Sequence, residues 1–138
     1  PCSQMKIRRY IMPAAFILYL ASVATLCFMH GDKLPDLKET WFGLPSDKVA
    51  HMAMFLPFIP LSFFTFRNNG NYAITDMLIL TSLLILGVGT AYMTEVIQEK
   101  LSYRTYDQKD LYADCIGLGI GYISVTAWLI IKNLRKRL

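Results

Sequence analysis

Asp47, Lys48 and His51 stand close together, and Asp47 and His51 are four positions apart, so a helix through them carries both on one face. Glu95 and Gln98, three apart, share a face in the same way. Arg104, Asp107, Asp110 and Asp114 follow, and Asp110 and Asp114 again differ by one helical turn. A neutral imidazole with carboxylates is a ligand set for zinc, manganese or iron; His51, Glu95, Asp110 and Asp114 are the candidates. The same groups can move protons. Glu95 or His51 would act as general base with Asp110 as a further candidate catalytic residue, and Arg104 would hold a phosphate or carboxylate. Asp47, Lys48, Gln98, Arg104 and Asp114 are the candidate ligand-binding residues. A structural reading stands beside these: Asp47 and Asp110 cap their helices, while His51 and Gln98 are hydrogen-bond partners between helices.

The elements that must position these residues follow from composition. Of 138 residues, 54% are apolar and only 17% charged, and the apolar residues come in blocks. A soluble enzyme, a nucleic-acid-binding module and a secreted disulfide scaffold all fit this poorly; an integral membrane protein fits it well. Four blocks, Ile11–Met29, Val49–Phe66, Ala73–Met93 and Leu111–Ile131, are long enough at about 1.5 Å per residue to cross a hydrocarbon layer of roughly 30 Å. The expected fold is all-α, a bundle of four transmembrane helices. Pro57 and Pro60 predict a kink in the second span, with neighbouring helices satisfying the freed carbonyls. The short polar stretch Arg67–Asn71 predicts that spans two and three form an antiparallel hairpin. Gly117 and Gly121, four apart, would let a neighbouring helix approach span four closely.

Charge predicts the orientation. Eight basic residues, Lys6, Arg8, Arg9, Arg67, Lys132, Arg135, Lys136 and Arg137, fall on the side of the two termini, with Asp76 the one acidic residue there. Six basic residues (Lys33, Lys38, Lys48, Lys100, Arg104 and Lys109) and nine acidic ones fall on the other. Positive charge concentrates on cytoplasmic segments, so both termini are expected in the cytoplasm of a bacterium, and the ionisable cluster at the extracytoplasmic face. Tyr10, Tyr72 and Trp128 mark the inner interface; Trp41, Phe42, Tyr92, Tyr103, Tyr106 and Tyr112 mark the outer one. Two outward loops are expected, His30–Lys48 and Thr94–Asp110. Cys2, Cys27 and Cys115 make no close-spaced pair, which argues against a disulfide framework or a zinc ribbon. Met5-Lys6-Ile7-Arg8-Arg9-Tyr10 reads as a natural bacterial beginning. Pro1–Gln4 are therefore expected to be a cloning remnant, and a single transmembrane domain to occupy residues 5–138.

Individual charges carry expectations of their own. A carboxylate at mid-bilayer costs about 2.5–3.5 kcal/mol, less near the interface, so Asp114, one turn inside span four, needs a partner. Arg104 and Lys48 are the candidates, and a salt bridge is favoured over a metal. Arg104 either recognises an anionic head group or pairs with Glu95 or Asp110. Asp76 pairs with Arg67 or stays hydrated. Asp107 and Lys109 read as solvated loop charges, and His30 as an exposed loop histidine.

The motifs together resemble the VanZ-like family of small bacterial membrane proteins. Asp47-Lys48-x-x-His51 at the start of an apolar helix resembles its first signature. Glu95-x-x-Gln98, Arg104 and Asp110-Leu-x-x-Asp114-x-x-Gly117-x-x-x-Gly121 resemble its second. Two positions depart: the family commonly has an acidic residue where this chain has Thr94, and Asn where it has Asp114. The resemblance implies a protein related to one that lowers susceptibility to the glycopeptide teicoplanin, in a family whose members mostly have no established activity.

Three functions of different classes follow. The first is binding of a lipid-linked or amphiphilic envelope ligand, such as a lipid-linked envelope precursor or lipophilic glycopeptide, dependent on Arg104 and without turnover. The second is an enzyme, a hydrolase or transferase, acting on a lipid-linked or phospholipid substrate through Glu95 and His51. The third is an ion-coupled transporter, which four spans could build only as an oligomer. Membrane lipids are expected partners, nucleic acid is not, and no cofactor is assigned, although a divalent metal fits the residue types.

Overall fold

The computed structural model describes residues 2–29, 40–41, 43–67, 73–101 and 106–137. Five helices account for nearly all of them: α1 (Cys2–Phe28), α2 (Ser46–Phe55), α3 (Phe58–Phe66), α4 (Ala73–Lys100) and α5 (Gln108–Arg137). A small antiparallel hairpin, β1 (Thr40–Trp41) with β2 (Leu44–Pro45), precedes α2, with Gly43 at positive φ in its turn. Helices α2 and α3 are two halves of one span, so four helical segments are long and apolar enough to cross a membrane: Tyr10–Phe28, Ser46–Phe66, Ala73–Lys100 and Gln108–Lys136. The protein is an all-α, multi-pass membrane protein.

The helices overrun the apolar blocks. Helix α4 continues about two turns past Met93. Thr94–Lys100 is polar, yet Glu, Gln and Lys are good helix formers, and Glu95 and Gln98 are buried against other helices rather than facing water. Hydropathy falls before the helix does. The expected loop Thr94–Asp110 is shortened accordingly, and helix α5 begins at Gln108 instead of Leu111.

The second span breaks where the prolines predict. Leu56 and Pro57 form a turn between α2 and α3. Pro60 has no N–H to offer the Leu56 carbonyl, and Pro57 none to offer that of Ala53. Neighbours close in on this bend. The Tyr19 hydroxyl of α1 donates to the Met54 carbonyl at 2.5 Å. Gly117 and Gly121 of α5 lie against the carbonyls of Met52 and Leu56; a Cβ on Gly121 would sit 2.6 Å from the Leu56 oxygen, and one on Gly117 would collide with that of Met52. The two glycines thus bring α5 directly onto the backbone of the bent span, where packing and polar contacts rather than water exclusion hold helices together.

The core sits on α3, α4 and α5, where Phe58, Ile59 and Phe63 pack with Leu80, Leu83 and Ala91 and with Leu118, Val125 and Leu129; Phe55 of α2 joins them. Helix α1 is peripheral; among its described side chains only Val23 and Cys27 are buried. Ile17, Leu18, Ile74, Leu78, Ile85 and Ile123 are all more than half exposed, an outer surface suited to lipid.

The ends of the bundle carry the polar contacts. At one end, Arg67 donates from Nε and Nη2 to the two oxygens of Asp76 at 2.8 and 2.7 Å. This ion pair joins the end of α3 to the start of α4, as an antiparallel hairpin requires, and resolves the alternatives for Asp76 in favour of pairing. The residues between, 68–72, lie outside those described, as do His30, Phe42, Tyr103 and Arg104. At the other end the start of α2, the end of α4 and the start of α5 converge.

Candidate functional site

His51, one turn into α2, stands at the centre of that convergence. Its Nδ1 lies 3.0 Å from Asp114 Oδ1 on α5 and 4.0 Å from Glu95 Oε1 on α4. Its Nε2 faces Asp110 Oδ2 at 3.6 Å. Three spans therefore deliver an imidazole and three carboxylates to one point. The inner members are deeply buried, with His51 5%, Glu95 1% and Asp114 0% exposed. Gln98, also buried, donates to the Cys27 carbonyl at 2.8 Å and so ties α4 to the end of α1. Among the described residues, Glu95 Oε1 and Asp114 Oδ2 are buried without a hydrogen-bond partner. Native structures leave few such atoms, and each asks for an explanation.

A second, less buried group surrounds Lys48. Its ammonium lies 3.0 Å from Asp47 and 2.5 Å from Asp107, and it also pairs with Asp110. Asp110 thereby belongs to both groups, one oxygen on Lys48 and the other toward His51. Among the described residues the balance of charge is acidic: Asp47, Glu95, Asp107, Asp110 and Asp114 against Lys48 and His51. Such a site attracts cations.

The geometry corrects several expectations. Asp114 is paired with His51, not Lys48, whose ammonium is taken up by Asp47, Asp107 and Asp110 nearer the helix starts. Arg104 lies outside the described residues. Asp110 does not cap α5; its carboxylate is spent on Lys48 and His51. The cap is Asp107, whose Oδ1 accepts from the backbone N–H of Lys109 at 2.9 Å. Asp107 is thus not a solvated loop charge but a helix cap that also anchors Lys48. An Asp immediately before a helical run with a second acidic residue three positions later is a recognisable helix-start pattern, and it could have been read from the sequence. His51, Glu95, Asp110, Asp114, Asp47 and Lys48 are brought together, whereas Gln98 serves helix packing.

The hydrogen bond from Lys48 holds the Asp107 carboxyl below its ordinary value of 3.8. A carboxyl depressed in the folded state contributes stability above that ordinary value and loses it as the pH falls through the depressed one. Amide exchange in the first turn of α5 is therefore expected to rise below about pH 4. Asp107→Ala should show that fast exchange already at neutral pH, with a loss of about 1 kcal/mol from the missing cap. Unchanged exchange in the variant would contradict the capping role.

The sequence matches the model of the VanZ/LLP1 family over residues 10–131, a range that runs from the first span nearly to the end of the last. The chain belongs to the VanZ/LLP1 family. This agrees with the motif resemblance; of the residues that carry those motifs, Glu95, Asp110 and Asp114 converge at His51, whereas Gln98, Gly117 and Gly121 join helices. No curated protein and no solved structure matches the chain.

Proposed function

We propose that this member of the VanZ/LLP1 family is a protein of the bacterial cytoplasmic membrane that binds the head group of an amphiphilic or lipid-linked envelope ligand at its His51–Glu95–Asp114 end. In this reading both termini are cytoplasmic and the cluster faces the extracytoplasmic side. The concentration of basic residues on the segments at the termini supports that orientation. The observation that carries the binding role is the convergence of ionisable side chains from three spans on His51, with two carboxylate oxygens left unpartnered. Ionisable groups at membrane depth are costly, and a purely structural cluster gains nothing from leaving oxygens unsatisfied. The acidic balance suits the ammonium of an amphiphile, or a phosphate reached through a bridging cation; a lipophilic glycopeptide of teicoplanin type is one ligand with such groups.

The test is titration of a teicoplanin-type lipoglycopeptide and of a polyprenyl-linked cell-wall precursor against the protein in nanodiscs. At least one should bind saturably, and Asp110→Asn and Glu95→Gln should weaken it by about tenfold or more, the worth of one charged hydrogen bond. Non-saturating uptake, equal in wild type and variants, would sink the reading.

One observation favours an enzymatic alternative. The imidazole of His51 is braced by Asp114 at 3.0 Å, the arrangement that orients a general base. That reading requires a chemically altered lipid product, lost in His51→Ala and Glu95→Gln proteins that still fold.

A further inference from the structure

We infer that His51, Glu95 and Asp114 form a binding site for a single divalent transition-metal ion, with zinc the best fit. The inference deepens the binding reading above, since it rests on the cluster being a site. Each of the three residues offers one ligand atom, and these atoms lie within 4.8 Å of one another. Two ligands on a tetrahedral ion with bonds of about 2.0 Å stand about 3.3 Å apart. The distances from His51 Nδ1, 3.0 Å to Asp114 Oδ1 and 4.0 Å to Glu95 Oε1, bracket that edge, and Asp114 Oδ2 is the second oxygen of the same carboxylate.

Three further features point to an ion. The two unpartnered oxygens, Glu95 Oε1 and Asp114 Oδ2, belong to side chains that are 1% and 0% exposed, and both sit in the group around His51. A proton shared between the two carboxyls would leave the pair with one negative charge; a divalent ion balances both. The far nitrogen of a metal-bound histidine ordinarily faces a carboxylate, and Asp110 occupies that place beside Nε2 at 3.6 Å. One imidazole with two carboxylates selects zinc, manganese or iron over calcium or magnesium. Three protein ligands would leave a fourth position for a head-group oxygen or water.

A neighbouring trio, Asp47, Asp107 and Asp110, is equally close-set, but Lys48 already pairs with all three. The ammonium supplies the countercharge there. Among the described residues, no lysine or arginine pairs with the inner trio.

Tag-free protein purified in detergent should carry about one equivalent of metal by elemental analysis. After stripping with EDTA, Co²⁺ should bind saturably and give the visible absorption of a low-symmetry, four-coordinate site. Glu95→Gln and Asp114→Asn should each weaken Co²⁺ by about 100-fold or more, whereas Glu99→Gln, an exposed change one turn along α4, should not. Absence of stoichiometric metal together with no saturable Co²⁺ spectrum in wild-type protein would overturn the site, whatever the variants do. So would a Glu95→Gln protein that is more heat-stable than wild type with no response to metal, because a neutral carboxyl would then be the resident state. Amphiphile binding that persists in EDTA alongside absent metal uptake would remove the metal and leave the binding reading standing. Stoichiometric metal without any amphiphile binding would do the reverse.

Discussion

Replacing Arg67 with alanine is expected to cost about 3–5 kcal/mol, the largest loss of any single change at the α3–α4 end of the bundle. The guanidinium makes two parallel hydrogen bonds to Asp76, and the two side chains are only 5% and 8% exposed. It also lies over the rings of Phe63 and Trp128, at 5.7 and 5.4 Å from their centroids, so α3, α4 and α5 all meet on it. Alanine leaves the Asp76 carboxylate buried with no countercharge, and that uncompensated charge is the main cost. Lysine should recover less than half of the loss, because it keeps the charge but not the planar two-pronged contact. The double change Arg67→Leu with Asp76→Leu should recover most of it, since a buried ion pair scarcely outweighs its own desolvation. Unfolding by denaturant in detergent measures all four proteins. A loss below about 1 kcal/mol for Arg67→Ala would place this pair with ordinary surface salt bridges.

Gly117→Ala is expected to destabilise the bundle by about 1–3 kcal/mol, and to abolish whatever the His51 cluster does. Helix propensity alone argues the other way, since alanine in place of a helical glycine gains about 1 kcal/mol. The clash decides the sign. The new Cβ would run into the Met52 carbonyl and lie 3.1 Å from the Leu56 nitrogen; both belong to backbone, which cannot swing aside as a side chain can. Helix α2 would have to move off α5, and His51, the residue before Met52, would move with it away from Asp114. Gly119→Ala is the matched control. A Cβ there meets nothing within 4 Å, so that protein should be as stable as wild type or slightly more so. Thermal unfolding and Co²⁺ binding of the two variants, side by side, separate close packing from a generic effect of glycine. Equal stability of both would contradict the contact.

Much of the architecture was readable from residues taken singly or in short runs. Block length is a local property, so four apolar blocks announced four spans. Proline removes a donor wherever it sits, so Pro57 and Pro60 announced the break. Gly117 and Gly121 announced a close approach, although not that the partner would be the bent span itself. Hydropathy misjudged the end of α4 because it scores Glu95 and Gln98 as if they faced water. Both are polar residues buried by other helices, which no window over neighbouring residues can register.

The candidate site divides along the same line. Residue type and helical spacing selected His51, Glu95, Asp110 and Asp114. Their pairing was not readable. Lys48 was an equally reasonable partner for Asp114 on charge, and His51 was distinguished from it only by depth: one helical turn places Lys48 near the helix starts with Asp107 and Asp110, and His51 beside Asp114. His51 and Asp114 are 63 positions apart in the chain. Whether two such residues meet depends on how far each helix is rotated and shifted against the next, and those offsets are set by packing over the whole interface, by Gly117 on Met52 and by the core around Phe58 and Leu118. Sequence by itself determined the spans, the bend and the chemistry available at one end of the bundle. Tertiary structure alone decided which carboxylate holds the histidine and which oxygens are left over, because those outcomes follow from helix register and not from composition or spacing.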